Sequence, residues 1–350
     1  MINPLRHSAL LIRAAQLLSA AAGRELTPST NFAKFAPMIW SNLALVLCLI
    51  FFNSTAQAMG RSHHPKALLM GVMGDSISAG SFADFPLRPF AQRQSRIANS
   101  KDGDFNTQFV YQNRRKLCWA SGKSILSHFR MLEAFLNAHG ETQKLQHANV
   151  ASLGNRTRDL PLQAQKIFDL YQSGEYSSLI YVTILIGSTD ACNHDRPTPM
   201  GDMRRELLRA FAKLAEIEQD EPIRILLVGI PRIPDLGLPE IRKIHTPLFG
   251  LRCSTVRDHF MNLCPGLLRW RTQSEYNAAL EIVEERNRLL KAVTAEANAA
   301  FPNLEIVFTD RLFYREIPPS MLATDCFHPN KYGQETISRE LWQDQPWFWD

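Results

Sequence analysis

The chain has 350 residues, 45% of them hydrophobic and 21% charged, which is ample apolar side chain for a buried core and excludes global disorder. Its formal charge of +5 comes from scattered arginine and lysine, and the densest run, Arg114-Arg115-Lys116, is short and gives way to Leu117-Cys118-Trp119. With no aromatic-interleaved basic stripe beside it, that run reads as a solvated face, and nucleic acid is not the expected partner.

The first feature in chain order is a targeting signal. Leu43 to Phe52 is a compact apolar segment preceded by Lys34, and Ala56-Gln57-Ala58 follows as a small-x-small cleavage site. The apolar run is too short to span a bilayer comfortably. Residues 1–58 therefore read as a leader with a signal peptide (apolar region 43–52), and the expected location is secreted or periplasmic. Translation from Met38 would shorten that leader, and Leu47 is too bulky to precede a lipid-modified Cys48. Removing Cys48 leaves five cysteines, Cys118, Cys192, Cys253, Cys264 and Cys326, for an oxidising compartment, so at least one is free or intermolecular. Cys253 and Cys264, close together in one irregular segment, form the most natural pair, with Cys118–Cys192 a weaker second choice. No C-x-x-C pair exists, and His63-His64, Cys192-x-His194 and Cys326-x-His328 are isolated, so neither a metal nor a cofactor is expected.

Residues 59–350 read as one domain. Ala67 to Met73 is a short apolar strand that breaks at Gly74 into Asp75-Ser76. Ser124 to Leu136 has helical spacing, and His147 to Ser152 is a second strand followed by the glycine loop Leu153-Gly154-Asn155. Asp159 is expected to cap a helix from Leu160 to Tyr171, with Pro161 in its first turn. Ser178 to Ile186 is almost continuously apolar and β-branched, as a strand covered on both faces should be, and it stops at Gly187-Ser188-Thr189-Asp190. A helix over Asp202 to Glu218 and a strand from Ile223 to Pro231 follow. Periodicity then fails over residues 231–270, an insertion rich in proline and glycine. Ser274 to Ala300 is a long amphipathic helix, Leu304 to Thr309 the fifth strand, and Tyr332 to Trp342 a closing helix. Alternating strands and helices predict a single three-layer α/β/α domain around a parallel sheet of about five strands.

In such a sheet the loops after the strands share one edge, and that edge is where ligands bind. Ser76 on the first of these loops is a candidate nucleophile, provided that a histidine is brought to it and held. Asp325-Cys326-Phe327-His328-Pro329, after the last strand, supplies a carboxylate and an imidazole three positions apart. The backbone N–H groups of Ser76 and Gly154 and the hydroxyl of Thr189 are the candidate oxyanion donors. The bland alternative for Ser76 is a helix cap. His128 and His194 are other imidazoles without a suitably spaced carboxylate and are expected to be packing or surface residues.

These blocks in this order resemble the SGNH, or GDSL, hydrolases, and among them the phospholipase B-like lipases. Gly74-Asp75-Ser76 is similar to the family's nucleophile block, Asn149 to Asp159 to its glycine block, Ile186 to Cys192 to its third block and Asp325 to Pro329 to its Asp-x-x-His block. Trp119-Ala120-Ser121-Gly122 resembles a segment of the phospholipase B-like branch, and the likeness runs from about Ala67 to Trp342. The resemblance implies a flavodoxin-like fold and metal-independent ester hydrolysis through an acyl-serine intermediate. It implies Ser76, Asp325 and His328 as the triad and Gly154 as an oxyanion donor. One departure stands out: Thr189 occupies the position where the family usually has asparagine. The function expected is that of an exported serine esterase or lipase acting on small-molecule or lipid esters, (lyso)phospholipids by branch resemblance, with transient contact at a membrane surface. The alternatives are a carbohydrate deacetylase of the same fold and a catalytically silent binding protein.

Overall fold

The computed structural model of the protein describes residues 66–85, 114–192, 197–247 and 250–349. Leu43 to Phe52, Cys48, the Ala56-Gln57-Ala58 signal, His63-His64 and His194 lie outside the described residues. In chain order the principal elements are β1 (Ala67–Gly74), α1 (His128–Ala138), β2 (Leu145–Asn149), α2 (Leu160–Gln172), β3 (Tyr176–Leu185), α3 (Ser188–Cys192) and α4 (Met200–Ala215). They continue with β4 (Ile223–Val228), α5 (Pro239–Arg242), α6 (Pro265–Leu268), α7 (Gln273–Ala300), β5 (Leu304–Thr309), α8 (Arg311–Tyr314) and α9 (Lys331–Trp342).

The five strands pair in parallel in the order β2-β1-β3-β4-β5. Alternate side chains of β1 enter opposite layers. Leu69 and Met73 join one core with Leu160 and Ile167 of α2, Leu207 and Phe211 of α4 and Leu290 of α7. Leu68, Met70 and Val72 join the other with Phe129 and Leu132 of α1, Ile337 and Leu341 of α9 and Phe348. This is the three-layer α/β/α architecture, and its strand order reverses direction of growth between β1 and β3. Phe348 is buried, so the aromatic C-terminal segment packs on the domain, while Trp349 is exposed.

Several boundaries differ from expectation for local reasons. The first helix begins at His128 because the Ser127 hydroxyl accepts the Arg130 N–H at 3.3 Å and caps it there. Asp159 does not cap α2 with its side chain; its carboxylate turns back to accept the Arg156 N–H at 2.8 Å. At the start of α7, Thr272 and Glu275 form a reciprocal capping box. The basic run at Arg114 is anchored by an ion pair to Asp84 at 3.0 Å.

The cysteine pairing is also corrected. The disulfides are Cys192–Cys264 and Cys253–Cys326, and Cys118 is a free, buried thiol. Nearness in sequence misled, because residues Thr255–Phe260 coil between Cys253 and Cys264 and Cys264 takes a left-handed conformation (φ 48°). Cys264 opens α6, which packs against α3 and so faces Cys192 at its end. Cys253 faces the loop between Asp325 and His328. The insertion is thereby bolted to the loops after β3 and β5.

Candidate active site

β1 ends at a glycine that nothing else can replace without rearrangement. Gly74 has φ +131°, and a Cβ there would stand 2.1 Å from the Leu185 carbonyl oxygen of β3. The chain turns immediately: the Asp75 carbonyl accepts the Ala79 N–H at 3.0 Å, and the Ser76 carbonyl accepts the Ser81 N–H at 3.0 Å. Ser76 therefore sits at the carboxyl edge between β1 and β3, the place where the strand order reverses and a crevice opens.

The Ser76 hydroxyl does not cap a helix. Its Oγ is 2.8 Å from Nε2 of His328, which is 252 positions away, and His328 Nδ1 is 2.5 Å from Asp325 Oδ2. An ionised carboxylate only accepts, so Nδ1 carries the proton and Nε2 presents its lone pair to the serine O–H. The other Asp325 oxygen accepts the N–H groups of Phe327 (3.1 Å) and His328 (3.0 Å), so the carboxylate also folds its own loop. Asn330, which caps α9 through the Gly333 N–H at 3.0 Å, donates to the Ser320 and Leu322 carbonyls at 2.8 Å and secures the loop's far end. The imidazole is buried, with the Phe82 ring stacked on it at 5.0 Å and the Phe327 ring edge-on at 4.9 Å.

Gly154 lies on the neighbouring loop at φ +78°, exposed, with open space where a Cβ would be. Thr189 is half-buried in α3. Among the described residues, neither the Ser76 nor the Gly154 N–H is donated to another protein group, nor is the Thr189 hydroxyl. The loops that carry these groups are tied together by other side chains. Asp190, directly after Thr189, accepts from both the N–H (3.0 Å) and the hydroxyl (2.9 Å) of Thr157 beyond the Gly154 loop. Gln163 of α2 accepts the Gly74 N–H at 2.7 Å, donates to the Gly74 carbonyl at 2.9 Å and donates to Asn155 Oδ1 at 2.8 Å. Asn149 donates to the Ser78 carbonyl (2.8 Å) and to the Ser121 hydroxyl (2.9 Å). Gln334 of α9 accepts the Trp119 N–H at 2.9 Å and donates to the Ile77 carbonyl at 3.1 Å.

Sequence reasoning missed these clamps, although a signal for the two glutamines was present. Gln163 shares the inward stripe of Leu160, Ala164 and Ile167, and Gln334 shares that of Ile337 and Leu341. A polar side chain on an apolar helical face must find buried partners or destabilise the fold.

Burial also sets the charge of two nearby groups. The Asp75 carboxyl is pushed up from 3.8 to about 7, mainly because it is removed from water and despite the Ile77 N–H donated to it at 3.0 Å. His128 is driven down to about 3, also by burial, so its ring is neutral. Its Nε2–H donates to the Ser338 carbonyl at 3.1 Å, and Nδ1 accepts from Tyr181 at 2.9 Å. It is a packing residue, as expected.

A parallel sheet with a serine, a histidine and an aspartate in hydrogen-bonded series at its switch point defines a class of hydrolase architecture. The chain belongs to the GDSL-like lipase/acylhydrolase family, whose model matches residues 70–341, and ester hydrolysis is the reaction class that membership implies. It is similar to human phospholipase B1, membrane-associated, with 23% identity over 321 residues; the match covers 79% of this chain and 19% of that protein. The chain thus spans about a fifth of that relative's length. Among solved structures it is similar to TesA, at 16% identity and a TM-score of 0.40, covering 79% of this chain and 98% of the other. It is likewise similar to the lipase Lip_vut3 from a goat rumen metagenome (15%, 79% and 97%, TM-score 0.42). The acetylxylan esterase Axe2 from Geobacillus stearothermophilus stands at a comparable distance (15%, 81% and 95%, TM-score 0.41).

Proposed function

We propose that the protein is an exported serine esterase in which Ser76 is the nucleophile, His328 the general base and Asp325 the group that orients it. The observation that carries this reading is the unbroken hydrogen-bond series from Ser76 Oγ through both imidazole nitrogens to Asp325 Oδ2. Ser76 Oγ attacks the ester carbonyl carbon while its proton passes to His328 Nε2. The resulting oxyanion accepts hydrogen bonds from the Ser76 and Gly154 N–H groups and the Thr189 hydroxyl. Collapse of the intermediate returns the proton to the departing alcohol oxygen and leaves an acyl-serine. Water, deprotonated by the same imidazole, then releases the carboxylic acid and restores Ser76.

The esters we assign are (lyso)phospholipids, met transiently at a membrane surface. The likeness to a human phospholipase B supports that choice, and the apolar segment Leu43 to Phe52 with its Ala56-Gln57-Ala58 signal supports export. Labelling by a fluorophosphonate probe tests the nucleophile, because it requires an activated serine. The native protein is expected to label and to hydrolyse p-nitrophenyl esters, and Ser76→Ala to do neither while keeping its melting temperature. Equal labelling of both would end the assignment. Faster release of acetate from acetylated xylan than of fatty acid from lysophosphatidylcholine would replace the substrate.

A further inference from the structure

Six residues after Ser76, Phe82 combines features that packing alone does not explain. Its backbone is left-handed, at φ 61°, a conformation that strains a bulky residue and that glycine adopts freely. Its side chain is buried, yet among the described residues it belongs to neither of the two main cores nor to the small cluster of Ala83, Leu117 and Ile125. The ring instead stacks face to face on the His328 imidazole, with centroids 5.0 Å apart and planes 10° from parallel. The backbone that follows Phe82 holds the same loop. The Phe85 carbonyl accepts the Thr324 N–H at 2.7 Å, and the Ala83 carbonyl accepts the Lys331 N–H at 2.8 Å. These two bonds bracket the Asp325–His328 block. On the other side of Phe82, the Ser81 N–H is donated to the Ser76 carbonyl at 3.0 Å, so one stretch of chain reaches from the nucleophile to the loop that carries its base.

We propose that Phe82 is a positioning residue whose ring sets the plane of the His328 imidazole, so that Nε2 meets Ser76 Oγ while Nδ1 meets Asp325; the inference rests on the ester-hydrolase reading above. Three arguments support it. The histidine χ2 torsion is broad, and hydrogen bonds at the two ring nitrogens leave the imidazole free to tilt about the line that joins them. A flat ring laid against its face opposes that tilt, and offset stacking at this separation is itself favourable. Phenylalanine also has no polar atom to compete with Ser76 or Asp325 for the ring nitrogens, and its face attracts the imidazolium that forms when Nε2 takes the serine proton. Finally, a strained conformation persists where its surroundings over-determine it, and such residues gather at functional sites. Glycine would satisfy the turn at this position without strain, so what phenylalanine adds there is its ring.

Three variants of the full chain test this, each assayed below its own melting temperature. Phe82→Gly keeps the turn and removes the ring, Phe82→Leu keeps apolar bulk without a flat face, and Phe82→Tyr keeps the face. A small misplacement of a reacting group is costly, so kcat for p-nitrophenyl acetate should fall about 10- to 100-fold in the glycine and leucine variants. Their KM should stay within about twofold of native, because the ring acts on the base and not on the substrate. Fluorophosphonate labelling of Ser76 should slow by the same factor as kcat. The tyrosine variant should stay within about threefold of native in both readouts. Native kcat and labelling in Phe82→Leu or Phe82→Gly overturn the proposal, and so does a loss in Phe82→Tyr as deep as that in Phe82→Leu. Failure of both Phe82→Gly and Phe82→Leu to fold would make Phe82 a packing residue and overturn it as well. These failures leave the hydrolase reading intact, whereas a native chain that neither labels nor hydrolyses the ester refutes that reading and this inference together.

Discussion

Replacing both Cys253 and Cys326 by alanine should unfasten the loop that carries Asp325 and His328. The bridge closes a segment of 73 residues. In the chain-entropy description, closing a loop of that length stabilises by about 4.4 kcal/mol at 25 °C, between the values for much shorter and somewhat longer loops. For a unit of this size about 2–4 °C of melting temperature accompanies each kcal/mol, so the variant should melt roughly 10 °C or more below the native protein. The loop has bonds of its own that survive: the Asp325 carboxylate still accepts two backbone N–H groups, and the Ala323 N–H still donates to the His328 carbonyl at 2.8 Å. What is lost is its anchorage to the insertion. Ester turnover should therefore fall at lower urea concentration than tryptophan fluorescence reports global unfolding. The matching pair Cys192→Ala and Cys264→Ala opens a 72-residue loop and should cost similar stability, but it frees α3 rather than the imidazole. A Cys253→Ala/Cys326→Ala variant melting within 2–3 °C of native, with turnover and fluorescence transitions coincident, would refute the reasoning.

Asp75 gives a pH signature. Because burial raises its carboxyl to about 7 in the folded chain from 3.8, the native state holds a proton that the unfolded state has released. Its contribution to stability is complete below about pH 4 and is lost as the pH rises through 7. Asp75→Asn stays neutral, so its melting temperature should overtake that of the native protein between pH 4 and 8; parallel profiles would remove the argument. Gln163→Ala leaves the Gly74 N–H without a partner, while the Gly74 carbonyl keeps the Ser152 N–H at 3.3 Å, so at about 1–3 kcal/mol for the one orphaned group urea unfolding should show a loss of about 1–3 kcal/mol. A loss under 1 kcal/mol would mean that water replaces the clamp. Thr189→Ala should lower kcat about 100-fold if its hydroxyl serves the oxyanion, with KM little changed. An unaltered kcat would show that the two backbone donors suffice.

Five strands, their succession with helices and the edge they share were all legible, because each depends on short-range pattern: apolar runs such as Leu68 to Met73 and Ser178 to Ile186, broken by glycine. The ordering of serine, glycine loop, Thr189 loop and Asp-x-x-His block along the chain was the ground for expecting them at one rim, and of these Ser76, His328 and Asp325 are joined by hydrogen bonds. Capping was legible only in part, since whether Asp159 serves α2 or turns back to Arg156 depends on a competition between nearby N–H groups that composition does not weigh.

The amino-acid order thus carried the parallel α/β plan and the block order, since periodicity and glycine placement act over a few residues at a time. Tertiary structure alone decided that Cys192 meets Cys264 and Cys253 meets Cys326, that Gln163 grips both polar groups of Gly74, and that Asp75 is kept from water. Disulfide partners, buried hydrogen bonds and shifted carboxyls depend on which surfaces are in contact and which are dry, and those are properties of the packed chain, not of any stretch of it.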